Sequence, residues 1–414
     1  MVVESWLARA ARERPATPAV NDLTYGALYE RARAAAAGLP HGARVGLALP
    51  PGTDYAVALH ACLLASALAV PVDQRLTEAE RPEVDILFAG EVRCSPDADV
   101  RDAHDLDDLA ILVHTSGTTS APKPIRLTYG NWLWSALGSA VALGVDPNER
   151  WLCTLPLSHV GGLSILLRSA IYGTTAIVHE RFETDRVLHA LRRPDGPTVV
   201  SLVPTTLARL LDAGLQRPPA LRWALLGGAP LPPALLERAA AAGVPVAPTY
   251  GLTEACSQVA TAGVPLFCTR VTLEDDGEIV VSGPTVSPDA GPRLPTGDLG
   301  ALDADGRLRV VGRKADTIVT GGENVAPAEV EAALEAHPAV AEAGVVARPD
   351  DTWGEAVVAL VCLRDGAAVT PLELLDHARA HLAGFKVPKD IQIVADPLPR
   401  TPSGKLVRRE LSAR

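Results

Sequence analysis

The stretch Ile111–Asn131 reads ILVHTSGTTSAPKPIRLTYGN. An apolar run stops at a loop that sets Thr115, Ser116, Thr118, Thr119 and Ser120 around Gly117, then places Lys123 between two prolines. The run reads as a buried strand, and parallel sheets bind ligands at the carboxyl ends of their strands. Hydroxyls and freed backbone N–H groups at such an end suit phosphate oxygens, and a lysine adds a point charge. The Walker A pattern does not fit: Pro122 stands where its second glycine belongs and Pro124 where its magnesium-binding hydroxyl belongs. Taken alone, a solvated Ser/Thr-rich turn accounts for the composition equally well. The rest of the chain has to decide.

A chain of 414 residues is too long for one ordinary core, so two or more domains are expected. Hydrophobic residues make up 48% and charged residues 21%, as in soluble globular enzymes. A net charge of −11 argues against a nucleic-acid surface, which needs a basic excess, but not against a local basic pocket for a polyanion. The six cysteines, Cys62, Cys94, Cys153, Cys256, Cys268 and Cys362, form no C-x-x-C pair. Reduced, buried thiols in a cytoplasmic protein are the simple reading, and zinc is not expected. The segment MVVESWLARAARERP lacks the basic end and apolar run of a signal peptide. The most apolar segment, Ala56 to Val72, carries His60 and reads as a buried helix feeding a strand, not as a membrane span.

Short β-rich runs alternate with Ala/Leu helical patterns: ARVGLALP before GTDYAVALHACLLASA, TVVSLVP before TTLARLLDAG, RWALLGGAP before LPPALLERAAAAG. Such repetition predicts mixed or parallel sheets covered by helices. Near residue 270 the character changes to short strands joined by Asp-Gly turns, the hairpin signature. Beyond Lys314 a compact pattern follows, in which Pro327 opens a helix and Thr370 with Glu373 makes a capping box. The closing PRTPSGKLVRREL reads as a basic loop. The expected fold class is therefore α/β. A large N-terminal region of mixed and parallel sheets with helices spans residues 1–313, with a β-rich subdomain at about 262–313. A small α+β C-terminal domain spans residues 314–414.

Three further constellations carry chemistry. In PTYGLTEACSQVAT, Tyr250 offers a plate for a base, Gly251 a permissive backbone, Thr253 a hydroxyl for a phosphate oxygen and Glu254 a carboxylate for Mg2+. Asp298 and Arg313 flank a predicted hairpin that can turn both toward one ligand, as candidates for ribose and phosphate contacts; a surface ion pair is the plain alternative. Lys405 sits in TPSGKL on a short loop, where a lone lysine is usually just solvated.

Together, HTSGTTSAPKP, YGLTE, TGD, GRKADTIVTGGENVAPAEVE and PRTPSGK occur in this order and resemble the adenylate-forming acyl-CoA synthetase family over essentially the whole chain. The resemblance implies an enzyme that uses ATP, Mg2+ and coenzyme A. A small-molecule carboxylate attacks the α-phosphate of ATP, giving an acyl-adenylate and pyrophosphate, and the coenzyme A thiol then expels AMP. It assigns Thr115, Ser116, Gly117, Thr118, Thr119 and Lys123 to the pyrophosphate end, Thr253 to the α-phosphate and Glu254 to Mg2+. Asp298 and Arg313 take the ribose, and Lys405 the attacking carboxylate with the α-phosphate. Gly227, Gly228 and Ala229 resemble the wall between adenine and acyl group; His159 joins the catalytic set. The small domain is implied to be mobile about a hinge near Lys314-Ala315, which exchanges Lys405 for Gly321 and Gly322 of the GGEN loop beside the thiol channel.

A narrower likeness, in TYGNWLWSALGSAVALGV, PLSHVGGLSILLRSAIYG and YGLTEACSQVAT, is to the family's o-succinylbenzoate–CoA ligase branch of menaquinone synthesis. Arg168, with Ser257 and Gln258, is then a candidate for the substrate's second carboxylate. Ser120 and Pro124 depart from the glycines usual in the phosphate loop. Rival readings are a ligase for another aryl or acyl acid, a peptide-synthesis adenylation protein whose anchoring aspartate is not evident, and a nucleotide-binding module without catalysis. The last predicts damage at Lys123, Glu254 or Lys405, and all three are intact.

Overall fold

A computed structural model of the chain describes residues 1–90, 100–115, 123–400 and 406–412. Strands Ile86–Phe88, Arg44–Leu47, Leu68–Pro71, Leu109–Thr115 and Lys123–Thr128 form one five-stranded sheet in that spatial order. All its pairings are parallel except the last, between Leu109–Thr115 and Lys123–Thr128. A nine-stranded sheet runs from Val264–Pro265 at one edge to Leu23–Thr24 at the other. Its parallel centre is Val246–Leu252, Trp223–Leu226, Val199–Leu202, Arg150–Cys153, Thr175–Val178 and Pro18–Val20. The strand–helix alternation legible in the sequence is the source of these parallel pairings, since each crossover needs a helix to return the chain.

The helices Thr53–Leu64 and Val160–Tyr172 are buried on nearly every side and share one apolar core with residues of both sheets. A helix apolar all round must lie between layers. Tyr55, in the first, donates its hydroxyl to the carbonyl of Leu157 just ahead of the second, at 3.0 Å. A four-stranded antiparallel sheet follows, Arg270–Leu273, Glu278–Ser282, Leu294–Leu302 and Leu308–Arg313. Its Asp276-Gly277 and Asp305-Gly306 turns have positive φ at the glycine, as their composition predicts. The last sheet is built from Ile318–Thr320, Glu323–Val325, Val340–Asp350, Gly354–Leu363 and Asp390–Ile393, and its core draws only on residues from Ile318 onward. The capping box of Thr370 and Glu373 is formed, and Pro327 opens its helix.

Two local expectations change. The hydroxyl loop is followed directly by an edge strand, Lys123–Thr128, which tolerates Pro124 because one side of an edge strand needs no N–H donor. The end of the chain, read as loop, contains the helix Arg408–Ser412. Its composition is basic and gives no apolar stripe. The segment is ordered from outside: Leu411 is fully buried and Arg408 bonds to Glu331, Asp316 and the carbonyl of Val345.

Gly251 is required by close approach. A Cβ there would lie 1.7 Å from the carbonyl oxygen of Ser257, at the register shift where Val246–Leu252 pairs with Ser257–Thr261. Backbone cannot yield as a side chain would. Gly251→Ala is expected to cost more than about 3 kcal/mol, as steric conflicts of this kind do, and to lower the thermal midpoint markedly. A variant that melts like the parent would refute this packing.

Glu335 provides a pH-dependent test. Burial pushes its carboxyl up to about 7, against the bond it accepts from the Ala343 N–H at 3.2 Å, with Glu331 adding repulsion. A folded-state value above the unfolded one means that the fold binds the proton more tightly. Stability is thus full below the ordinary value of 4.5 and falls as pH rises through about 7. Glu335→Gln keeps an acceptor for Ala343 and cannot ionise. Its thermal midpoint should match the parent near pH 4.5 and exceed it increasingly up to about pH 8; a pH-independent difference would contradict the assignment.

Candidate active site

The candidate residues gather where parallel strands end. Thr115 closes Leu109–Thr115, His159 follows Arg150–Cys153, Gly227 follows Trp223–Leu226, and Tyr250 and Gly251 lie at the end of Val246–Leu252. The carboxyl edge of a parallel sheet is where ligand crevices form.

The two residues that flank the hydroxyl-rich segment are tied together. Thr115 and Lys123 are opposite one another in the antiparallel register, and the Thr115 hydroxyl donates to the carbonyl of Lys123 at 3.3 Å. Ser116, Gly117, Thr118 and Thr119 lie outside the described residues, as does Ser120. Lys123 is exposed, the position open to a polyanion.

Thr253, Glu254 and Ala255 form a single 3-10 turn after Tyr250-Gly251-Leu252. That turn is laced to the phosphate-loop strand by Ser287. The N–H of Ser287 donates to the carbonyl of Glu254 at 2.7 Å, and its hydroxyl to the carbonyl of Arg126 at 2.8 Å. Asp289, two residues on, pairs with the Arg126 guanidinium at 2.7 Å. Glu254 and Lys123 are thereby tied into one frame. Among the described residues no cluster of three or more His, Cys, Asp or Glu side chains suits a metal. A single carboxylate in Glu254 fits Mg2+, which is commonly held by one or two carboxylates together with substrate phosphates and water.

Asp298 and Arg313 are cross-strand partners in the hairpin. The Arg313 Nε lies 2.7 Å from one Asp298 oxygen, and the Tyr250 hydroxyl donates to the other at 2.8 Å. Asp298 is buried while Arg313 is half exposed. Burial, then the neighbouring Asp298 charge, pushes the Tyr250 phenol well above its ordinary value, so it stays a donor. A carboxylate can accept about four hydrogen bonds, and these two contacts orient Asp298.

Gly227 and Gly228 form a cradle beside this group. A Cβ on Gly227 would come within 2.5 Å of the Thr249 hydroxyl and 2.9 Å of its carbonyl, and Gly228 has φ +83°. Ala229 follows, half-buried. Gly321 and Gly322 occupy the tip of the hairpin Ile318–Thr320 to Glu323–Val325, with φ +58° and +84°. The N–H of Gly321 donates to the carbonyl of Trp353 at 2.8 Å, so this structure groups both glycines with the last sheet. Lys405 lies outside the described residues; a bridge between Arg400 and Leu406 joins the flanks of its loop.

His159 stands at the N-cap of Val160–Tyr172, its carbonyl accepting from the N–H groups of Gly162 and Leu163. Arg168 sits on the same helix, 3% exposed. Its guanidinium stands 5.6 Å from the centre of the Trp151 ring and donates to the hydroxyl of Ser135 at 3.1 Å. The Nε has no hydrogen-bond partner, and no ion pair to Arg168 is present among the described residues. Burial lowers its pKa. Ser257 has φ +86° and Cys256 φ +51°, two successive non-glycine residues in the left-handed region, a costly conformation that clusters at functional sites. Gln258 is 4% exposed; its amide nitrogen donates to the Thr261 hydroxyl and its carbonyl oxygen is unpartnered.

Sequence reasoning missed Ser135 and Ser287. Ser287 carried no signal. Ser135 carried a weak one, a small polar residue one turn before Ser139 in an otherwise apolar helix. Tyr129-Gly130-Asn131, at the start of one of the stretches that carry the narrower likeness, also serves the fold. Asn131 completes the capping box of Tyr129–Leu143 and donates to the carbonyls of Pro284 and Val286.

The AMP-binding enzyme family matches residues 7–84 and 81–289, and the AMP-binding enzyme C-terminal domain matches residues 329–405. A 2-succinylbenzoate–CoA ligase from Bacillus licheniformis is 36% identical over 477 residues, covering 98% of this chain and 99% of that protein. The structure is similar to that of o-succinylbenzoate CoA synthetase from Bacillus subtilis in complex with the acyl-adenylate intermediate, with a TM-score of 0.90, 34% identity, and coverage of 99% of this chain and 98% of that one. The same synthetase in complex with ATP and magnesium ion gives a TM-score of 0.89 at 34% identity, covering 99% of this chain and 100% of that one. The family model's match over most of the chain, together with relatives of this identity and coverage, shows that the chain belongs to the AMP-binding enzyme family.

Proposed function

We propose that the protein is an ATP-dependent carboxylate–CoA ligase that converts 2-succinylbenzoate to 2-succinylbenzoyl-CoA, with Mg2+ as its metal, in menaquinone biosynthesis. The observation that carries the substrate choice is Arg168, a buried guanidinium whose described partners are a hydroxyl and an aromatic ring. A buried cation is costly unless an anion meets it, and the substrate has a second carboxylate that ATP does not activate. Arginine suits that group because its planar fork donates two bonds. Ser257 and Gln258 add neutral polar groups for that carboxylate.

In the first step an oxygen of the succinyl carboxylate bonds to the α-phosphorus and pyrophosphate leaves. In the second, the thiolate sulfur of coenzyme A bonds to the acyl carbon and AMP leaves. Both steps bring anions together, so fixed donors and cations do most of the work. Thr115, Ser116, Gly117, Thr118, Thr119 and Lys123 receive the departing pyrophosphate. Thr253 steadies the α-phosphate and Glu254 holds Mg2+, which neutralises phosphate charge when bound. Tyr250, Asp298 and Arg313 hold the nucleoside, with Gly227, Gly228 and Ala229 between it and the acyl group. His159 flanks the acyl pocket. Lys405 neutralises carboxylate against phosphate, and residues 314–414 act as a lid that replaces it with Gly321 and Gly322 for the thiol step. The separate core of the last sheet supports the lid reading. No described helix is long and apolar enough to cross a membrane. Cys62, Cys153, Cys256 and Cys268 are free thiols, in keeping with a cytoplasmic setting.

Lys405→Ala should abolish pyrophosphate release from ATP and 2-succinylbenzoate while largely sparing thioester formation from pre-made acyl-adenylate. Equal loss in both assays would sink the exchange of Lys405 for the glycine hairpin. Arg168→Leu should raise the KM for 2-succinylbenzoate by about ten-fold to several hundred-fold, the size of a charged hydrogen bond of ~1.5–3 kcal/mol, with the ATP KM little changed. Parent-like handling of 2-succinylbenzoate by this variant would make Arg168 structural.

A further inference from the structure

We infer that Ser135 is a positioning residue for substrate selection, holding the Arg168 guanidinium in place and coupling it to the turn that follows Glu254. Ser135 is 1% exposed on the helix Tyr129–Leu143, which packs against the Arg168 helix. A serine hydroxyl has one hydrogen to donate and lone pairs to accept with. Here it donates to the carbonyl of Cys256 at 2.7 Å and accepts from Arg168 Nη2 at 3.1 Å. The carbonyl it meets belongs to the first of the two left-handed residues, two positions after Glu254. One hydroxyl therefore joins a buried cation to a strained backbone turn.

The geometry around the cation leaves Ser135 little help. Trp151 offers a ring face, itself fixed by the bond from its Nε1 to the Ser201 hydroxyl at 2.9 Å. A ring face attracts a guanidinium but does not set its rotation, whereas a hydrogen bond is directional. Arg168 Nε remains without a partner in the same buried space. Ser135 thus fixes the orientation in which the fork meets an incoming carboxylate. Removing its hydroxyl frees that orientation and strips a buried carbonyl of its donor at once.

This inference rests on the reading of Arg168 as the second-carboxylate partner, and the test separates the two. KM values for 2-succinylbenzoate, for 4-oxo-4-phenylbutanoate, which lacks the ring carboxylate, and for ATP are measured for the parent, Ser135→Ala, Arg168→Gln and the double variant. Ser135→Ala should raise the KM for 2-succinylbenzoate about ten-fold, the scale of one hydrogen bond to a charged group. It should leave the KM values for ATP and 4-oxo-4-phenylbutanoate within about two-fold, and in the Arg168→Gln background it should add less than about two-fold, as expected when both changes remove one interaction. If Ser135→Ala raises both acid KM values equally, raises neither, or adds its full effect to Arg168→Gln, the inference is overturned. If the parent does not activate 2-succinylbenzoate, the functional reading fails and the inference falls with it. If parent and Arg168→Gln behave as proposed but Ser135→Ala is silent, only the inference fails. Should Ser135→Ala not fold, Ser135→Cys in the same cycle weakens the donor while keeping the shape. It should give a smaller shift confined to 2-succinylbenzoate, and a parent-like value would overturn the inference.

Discussion

Ser287 joins pieces of chain that no local interaction would bring together. Its N–H and hydroxyl satisfy carbonyls of Glu254 and Arg126, and the neighbouring carbonyls of Pro284 and Val286 accept from Asn131. The seam therefore clasps the nine-stranded sheet, which carries the Glu254 turn, to the five-stranded sheet, which carries Thr115 and Lys123. Ser287 is fully buried. Water cannot replace a donor lost there, so the seam is made correctly or left with unsatisfied polar groups. The placement of Glu254 relative to Lys123, both proposed to serve the nucleotide's phosphates, depends on it.

Charge within this frame is arranged in two contrasting ways. Asp298 is buried and met by a phenol and a guanidinium, so its position is determined before any ribose arrives. Arg168 is more deeply buried and has no carboxylate of the described chain beside it. Under the proposed function, the first arrangement would preorganise a contact shared by every reaction that uses the same nucleotide. The second leaves an unbalanced cation, which suits a pocket that selects among acids. Electrostatic preorganisation of this kind costs the folded state stability and is tolerated where a ligand restores the balance.

Much of the fold around the candidate site was legible because it rests on short-range rules. The Asp305-Gly306 turn brings the strands of Asp298 and Arg313 together, while a one-residue register shift between Leu299 and Gly300, which the sequence does not announce, sets the two residues opposite one another. The capping box at Thr370 and the helix start at Pro327 need only local hydrogen bonding and φ preference. By contrast, Ser135 and Ser287 act through bonds to residues 121 and 161 positions away. A serine in a sequence gives no sign of such a partner. Arg168 was visible as an anomaly, a cation in an apolar helical run, yet whether it would snorkel outward or stay buried depended on what packs over that helix.

The chain's order of strands, helices and glycine-bearing loops determined by itself that parallel sheets would form and that a hydroxyl- and lysine-bearing loop would leave one of them. Backbone hydrogen bonding and side-chain periodicity act over a few residues and are written into the sequence directly. Tertiary structure alone decided that the basic terminal segment would include a helix, since the burial of Leu411 and the ion pairs of Arg408 come from distant strands and helices. It alone decided that Arg168 would face a hydroxyl in the interior, and that one buried serine would tie two sheets into one site. Those outcomes are set by which groups lose water together, and that is a property of the packed chain rather than of any segment of it.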